Sequence, residues 1–204
     1  MDSRMKVGII AEYYKQWIGG VYYYQNILHA FQKLRDEQKP CVVILSRERK
    51  LFEYLQEATQ YPYLKFYKIN TKTPIWVKFI NKICFLLLKK NLLTPSLSPK
   101  VVDCIIGLTS TNFDKYIEKI PIKFYWIPDF QEHYLPYFFS SEEIKSRKIM
   151  QTELAYSNKN IVLSSHSAFE NFKQIYPGYS ANVYVIPFAI TVPAVDENEY
   201  ALVR

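Results

Sequence analysis

The sequence is poor in residues and motifs that mark several common classes of protein. Glycine occurs five times in 204 residues, and no stretch matches G-x-G-x-x-G or G-x-x-x-x-G-K-[ST], which excludes both of these phosphate-loop motifs. The three cysteines are widely spaced and form no C-x-x-C pair, which disfavours a disulfide framework or a zinc site and predicts a reducing cytoplasm. The longest uninterrupted apolar run, 83–88, is far shorter than the ~20 residues of a membrane span.

Acidic residues are absent from one long segment. Between residues 58 and 102 there are eight lysines and no Asp or Glu, so this segment carries a charge of +8. The rest of the chain has 18 basic and 19 acidic residues and is nearly neutral, although the whole protein has a net charge of +7. The basic residues accompany Leu and Ile rather than an aromatic stacking surface, which argues against nucleic acid as a partner.

A helix is predicted over residues 74–93, inside the basic segment. On this helix Lys78, Lys82 and Lys89 share one side with Phe85, and an apolar face lies opposite. The pattern is typical of an interfacial helix on anionic lipid, with these four side chains as the membrane contacts, and the protein would then be peripheral at the inner face of the membrane. The alternative is a core helix with a solvated lysine face.

Seven short apolar runs, separated by helical patterns, indicate the fold class. Several runs are continuous Val, Ile, Leu and Phe, as in parallel strands that are buried on both faces. Such an order predicts an α/β fold, a Rossmann-like doubly wound parallel sheet, over residues 1–190, with 191–204 as a linker or the start of another domain. The predicted strands are 6–11, 41–45, 64–69, 101–106, 124–127, 161–163 and 183–186.

Three further helices are predicted from apolar spacing and from capping residues. The first follows Gly19-Gly20, where apolar residues recur at helical spacing. S-x-x-E capping boxes at 140–143 and at 167–170 predict the starts of the other two. His166 would then lie immediately before a cap at Ser167.

Gly19-Gly20 is the most distinctive local feature. Ligands of open parallel sheets bind beyond the carboxyl ends of the strands, and this pair follows the first strand. Free N–H groups at the start of a helix attract an anion, and glycine lets a phosphate approach the backbone closely. The alternative is a tight turn without a ligand.

The loops after the fifth and sixth strands supply the other candidate residues. Each candidate residue also has a structural alternative to a role in binding or catalysis. Asp129 could shape a turn, His133 could pack inside its loop, and the residues after the sixth strand could satisfy backbone groups at the strand end or helix start. The candidates are Asp129, His133, Ser164, Ser165 and His166.

Three segments resemble family 4 retaining glycosyltransferases of the GT-B fold (glycosyl transferase group 1). Residues 17–28, WIGGVYYYQNIL, resemble the Gly-Gly loop and first helix of that family. Residues 126–140, WIPDFQEHYLPYFFS, are similar to a longer signature, and residues 160–189 are similar to the end of the family's first domain. The resemblance covers nearly the whole chain, and the signature at 126–140 is its most specific part.

The resemblance implies the acceptor-binding half of a hexosyltransferase-like enzyme. Such an enzyme moves a sugar from a nucleotide-sugar donor to a glycan or lipid-linked acceptor, as in polysaccharide biosynthesis. A second domain with an E-x7-E motif holds most of the donor, and no two glutamates here are eight positions apart. The donor domain would therefore be supplied in cis or in trans, and these 204 residues alone are expected to be inactive.

The resemblance also assigns roles to individual residues. Gly19 and Gly20 would face the donor diphosphate and the transferred sugar. The family often presents a His near the sugar from the loop after strand five. Here Pro128 precedes Asp129, a departure that leaves Asp129 and His133 as the candidate catalytic residues.

Neither a cofactor nor a metal is expected. The sequence has no D-x-D motif and no His, Cys and carboxylate cluster, and retention in this family is usually explained without a protein nucleophile. The alternative function is a non-catalytic binding or membrane-docking module that keeps half of a GT-B fold.

Overall fold

A computed structural model describes residues 4–11, 18–69, 82 and 95–188. The strands in these residues are β1 Lys6–Ile10, β2 Cys41–Ser46, β3 Leu64–Lys68, β4 Cys104–Leu108, β5 Ile122–Ile127, β6 Asn160–Leu163 and β7 Asn182–Val185. They form one parallel sheet in the order β3-β2-β1-β4-β5-β6-β7, which confirms the predicted number and direction of strands.

β4 shows the largest shift from its predicted start. It begins at Cys104, because residues 99–101 form a turn in which the Val101 N–H donates to the Ser98 carbonyl oxygen at 3.0 Å. It also extends to Leu108, two residues beyond the predicted end, since the apolar run there continues through a glycine.

The helices of the described residues are α1 Ile18–Gln32, α2 Lys50–Thr59, α3 Gln131–Tyr134, α4 Ser141–Ala155 and α5 His166–Ile175. α1, α4 and α5 correspond to predicted helices, whereas α2 and the single turn α3 were not predicted. The predicted helix over 74–93 lies outside the described residues, with the exception of Lys82, which is helical and exposed.

Both faces of the sheet are covered by these helices. Alternate residues of a strand point to opposite faces. Ile9 and Ile44 belong to a buried cluster that includes residues of α1 and α2, whereas Ile10 and Leu45 belong to a second cluster with residues of α4 and α5. The fold is therefore a Rossmann-like doubly wound α/β sheet.

The capping box before α4 is confirmed. The Ser140 hydroxyl accepts a hydrogen bond from the Glu143 N–H at 3.2 Å, and the Glu143 carboxylate accepts one from the Ser140 N–H at 2.9 Å. The reciprocal pair satisfies two backbone donors and sets the start of α4.

The capping box predicted at 167–170 is wrong. α5 begins at His166, and its N-cap is Ser165, whose hydroxyl accepts a hydrogen bond from the Ala168 N–H at 3.0 Å. β6 ends at Leu163, so the chain needs only Ser164 and Ser165 to pass from strand to helix. His166 is therefore the first residue of the helix, and Ser167 lies inside it.

Candidate functional site

The order of the strands defines one crevice at the carboxyl edge of the sheet. β1 pairs with β2 on one side and with β4 on the other. The sheet grows from β1 towards β3, and then from β4 in the opposite direction. Ligands of open α/β sheets bind outside the carboxyl ends of the strands at such a reversal. The first turn of α1 and the end of β4 border this crevice.

Gly19 and Gly20 lie within the first turn of α1. They were expected to precede the helix, but α1 is already helical at Ile18. Gly19 is exposed and Gly20 is buried. A Cβ on Gly19 would meet no described atom within 4 Å, so packing against the described residues does not require glycine there. The first-turn N–H groups of a helix have no intrahelical acceptor and can bind an anion.

Gly107 requires glycine for its backbone and for its packing. Its φ of +68° is in the left-handed region, and a Cβ would lie 3.0 Å from Cε1 of Tyr24. The pairing of β4 with β5 shifts register between Ile105 and Leu108, around this residue. The buried Tyr24 hydroxyl donates to the Gly107 carbonyl oxygen at 3.2 Å, which joins α1 to the end of β4.

An aromatic cluster joins α1 to β5. The ring of Tyr23 stacks on Trp126 with centroids 3.8 Å apart and planes 10° from parallel. Phe188 contacts both rings edge-on, at 5.7 Å from Tyr23 and 6.0 Å from Trp126. Burial raises the pKa of the Tyr23 phenol to about 12, so its hydroxyl is protonated at neutral pH. Tyr23 was not among the predicted site residues, although it lies three positions after Gly20.

The serines after β6 have structural roles in the folded chain. Ser164 is buried, and its hydroxyl accepts a hydrogen bond from the Trp126 indole N–H at 2.9 Å. Ser165 caps α5 through its hydroxyl. His166 is exposed at the start of α5. Of these three candidates, His166 has the side chain that is most accessible to a ligand.

Asp129 and His133 lie in the loop that leaves the carboxyl end of β5. Asp129 is half-buried, and its Oδ1 accepts a hydrogen bond from the Gln131 N–H at 3.3 Å, the contact of a turn-forming aspartate. His133 is exposed, with its ring edge-on to Tyr134 at 5.0 Å between centroids. The structure thus brings both residues to the predicted edge of the sheet, Asp129 with a role in the turn and His133 accessible.

Glu132 is a buried carboxylate that was not predicted. Its side chain is 5% exposed and accepts hydrogen bonds from Gln151 at 2.6 Å and from Arg147 at 3.3 Å. The Tyr176 hydroxyl extends the network by donating to the side-chain Oε1 of Gln151 at 2.8 Å. These contacts fasten the loop after β5 to α4 and to the end of α5. The i, i+4 spacing of Arg147 and Gln151 is the sequence signal that could have indicated a shared partner.

The predicted membrane contacts can be compared with the structure only in part. Lys78, Phe85 and Lys89 lie outside the described residues, and Lys82 is exposed. In the part of the chain that the structure describes, no helix is long and apolar enough to cross a membrane. The same residues contain no group of His, Cys, Asp and Glu that could hold a metal ion. Cys41 and Cys104 are buried free thiols, as the apolar runs around them predict.

Comparison with protein-family models finds no match, and comparison with curated proteins finds none either. A Rossmann-like sheet supports many unrelated activities, so function has to be inferred from the residues at the carboxyl edge.

Proposed function

We propose that the chain is the acceptor-side half of a retaining GT-B glycosyltransferase. The observation that carries the proposal is the stacking of Tyr23 on Trp126. Tyr23 belongs to the segment that resembles the family's Gly-Gly loop, and Trp126 opens the segment that resembles its longer signature. A shared site requires these two segments to be close, and they are in contact.

Gly19 and Gly20 would bind the donor diphosphate through the N–H groups of the first turn of α1. The partial positive charge of a helix N-terminus stabilises the negative charge that grows on the diphosphate as the bond to the sugar breaks. Among the described residues no atom would lie within 4 Å of a Cβ at Gly19, which leaves room for a phosphate to come close to the backbone.

The loop after β5 would position the sugar and the acceptor. In the reaction, the bond from the anomeric carbon to the diphosphate oxygen breaks, and the acceptor hydroxyl oxygen bonds to the same carbon from the same face. The hydroxyl proton passes to the departing phosphate, which leaves as the nucleoside diphosphate. Asp129 and His133 would hold sugar hydroxyls, because a carboxylate accepts hydrogen bonds and an imidazole donates or accepts them.

A titration of the 204-residue chain with UDP tests the diphosphate site. With five glycines in the sequence, the glycine amide signals in a 15N-edited NMR spectrum are few enough to assign individually. We expect saturable shifts at Gly19 and Gly20 at millimolar UDP, with Gly178, which lies after α5, as the internal reference. Gly19→Ala should weaken the shift that remains at Gly20 without unfolding the protein. Unchanged Gly19 and Gly20 signals at the highest UDP concentration would reject this site.

The half-enzyme part of the proposal has a separate test. With a radiolabelled nucleotide sugar, the 204 residues alone should transfer no label, because the donor domain is required for tight donor binding. Transfer by this chain alone would contradict the half-enzyme function, whatever the outcome of the UDP titration.

The second candidate is a membrane-docking module, favoured by the +8 charge of residues 58–102. Lysines near an anionic surface contribute roughly 1 kcal/mol each, enough for reversible binding at the inner face of the membrane. Sedimentation with anionic vesicles should fall sharply when Lys78, Lys82 and Lys89 are changed to Glu. Equal sedimentation of the variant and the parent would remove this candidate.

A further inference from the structure

The segment between β5 and α4 exposes four large apolar side chains within five positions. We call residues 134–138 the aromatic loop. The exposed fractions are 49% for Tyr134, 38% for Leu135, 75% for Tyr137 and 72% for Phe138. Single exposed apolar side chains are ordinary, but a contiguous group of them marks a binding surface.

The aromatic loop is held in place from both sides. The Tyr134 hydroxyl donates to Oδ1 of Asn171 on α5 at 3.0 Å. Beyond the loop, the Arg147 guanidinium on α4 lies 4.8 Å from the centre of the Phe139 ring. The buried contacts of Glu132 hold the chain immediately before the loop. Aromatic rings that are already positioned lose little conformational entropy when a ligand binds.

The two most exposed rings lie together. The centroids of Tyr137 and Phe138 are 4.6 Å apart, and their planes are tilted by 42°. Both residues belong to a 3-10 turn, Pro136–Phe138, in which proline restricts the backbone of the first position. The rings therefore present an exposed apolar surface in the segment that leaves the carboxyl end of β5, after Asp129 and His133 in the chain.

The charge around the loop disfavours an anionic ligand. Residues 128–148 contain four acidic and three basic side chains, and Glu142 and Glu143 are exposed directly after the loop. A phosphate-bearing lipid surface attracts basic segments and repels carboxylates. Asp129, His133 and Asn171 add polar groups that can bind hydroxyls. Aromatic rings beside hydrogen-bonding side chains suit a neutral sugar ring, whose C–H faces stack on the rings while its hydroxyls form hydrogen bonds.

We propose that the aromatic loop is the subsite for a neutral sugar ring of the acceptor, with Tyr137 and Phe138 as the stacking surface. That the bound sugar belongs to an acceptor rests on the proposed transferase function, whereas binding of a sugar ring to the aromatic loop does not. The inference therefore assigns a substrate class to this edge of the sheet: a neutral glycan rather than a lipid phosphate headgroup.

Saturation-transfer NMR with neutral disaccharides tests the subsite on the 204-residue chain. The probes are cellobiose, maltose and N,N′-diacetylchitobiose at millimolar concentration. We expect at least one of them to receive saturation on its ring C–H protons. Tyr137→Ser combined with Phe138→Ser should weaken that binding at least about tenfold, because aromatic anchors carry much of the affinity of such surfaces.

A matched control separates the subsite from general exposure of apolar side chains. Ile149 is 60% exposed on α4, eleven positions after Phe138 in the chain, and Ile149→Ser should bind the disaccharide as the parent does. The two rings that the double variant lacks are exposed in the parent. The melting temperature of the double variant should therefore stay close to the parent value. Circular dichroism provides that check on folding.

Three results would overturn the subsite. They are absence of saturation in all three disaccharides, equal binding by the double variant, and a loss of disaccharide binding in Ile149→Ser. A vesicle experiment identifies the competing partner. If phosphatidylcholine vesicles with or without phosphatidylglycerol bind the parent and not the double variant, the loop is a membrane contact and the proposal is wrong. The UDP titration at Gly19 reports on a different site, so its failure leaves the sugar result interpretable.

Discussion

Tyr23 stacks flat against Trp126, and the Trp126 indole N–H donates to the Ser164 hydroxyl at 2.9 Å. The contacts connect the helix after β1, the end of β5 and the end of β6. Three segments that are far apart in the chain thereby have a defined arrangement at one edge of the sheet. Since Trp126 and Ser164 are buried, these contacts hold the three segments together from within.

Removal of the Tyr23 ring should destabilise the protein. We expect Tyr23→Ala to lower the free energy of unfolding by roughly 2 kcal/mol, since a partly buried ring and its stacking contact are both lost. Urea unfolding followed by circular dichroism measures the change. Tyr22, which is 53% exposed in the same helical turn, is the control, and Tyr22→Ala should change stability by less than about 0.5 kcal/mol. Equal effects of the two substitutions would contradict the stacking role.

Two glycine substitutions should have opposite effects on stability. Gly107→Ala should cost at least about 1 kcal/mol, because its φ is positive and the added methyl group would press on Tyr24. Gly19→Ala adds a methyl group on a helix where no atom of the described residues lies within 4 Å, and it should leave stability unchanged or raise it by up to about 1 kcal/mol. Thermal melts of both variants beside the parent give the comparison. A marked loss of stability in Gly19→Ala would show that this glycine is needed for folding.

Loss of the buried carboxylate of Glu132 should loosen the loop after β5. We expect Glu132→Ala to lower the free energy of unfolding by about 2 kcal/mol, because the buried Gln151 amide loses its acceptor and the partly exposed Arg147 loses its ion-pair partner. Glu142→Ala, an exposed change in the first turn of α4, is the matched control and should be nearly neutral. Chemical unfolding of both variants decides between a structural and a peripheral role for Glu132.

The capping box of α4 should add a pH-dependent contribution to stability. Hydrogen bonds from the Ser140 backbone N–H and then from its hydroxyl hold the pKa of Glu143 below its ordinary value of 4.5. A carboxylate whose folded-state pKa is lowered stabilises the fold above the unfolded-state pKa, and this contribution is lost as the pH falls through the folded-state value. The stability difference between the parent and Glu143→Ala should therefore be largest near neutral pH and shrink below about pH 4.

Unfolding curves at several pH values measure this difference. Glu142→Ala keeps both Ser140 contacts and should retain the loss of stability on acidification that comes from Glu143. A difference between the parent and Glu143→Ala that stays constant from neutral to acidic pH would exclude the capping contribution.

The sheet could be predicted from the sequence because its strands are short apolar runs, several of them continuous. α2 was missed because it lacks the signal used for the other helices. Its N-cap is Arg49, which makes no capping hydrogen bond through its side chain, and a charged stretch precedes it. The start of α5 was placed two residues late, since both Ser165 and Ser167 are suitable caps and only the end of β6 decides between them.

The edge of the candidate site could also be predicted, but its contacts could not. Asp129 lies two positions after the fifth predicted strand, and Gly19 lies eight positions after the first, between that strand and the first predicted helix. Their place at the carboxyl edge therefore follows from the sequence. The burial of Glu132 depends on a partner 19 positions away, and the stacking of Tyr23 depends on a strand about a hundred residues later. Such contacts appear only when the sheet order is known.

Trp126 also gives the protein an optical probe at the place where a ligand is expected. Its indole is 3% exposed and in contact with Tyr23 and Phe188, so its fluorescence should respond when either ring shifts. The other two tryptophans, Trp17 and Trp76, lie outside the described residues. With both of these changed to Phe, the emission would report on a single, known position, and ligand entry could be followed in real time without an added label.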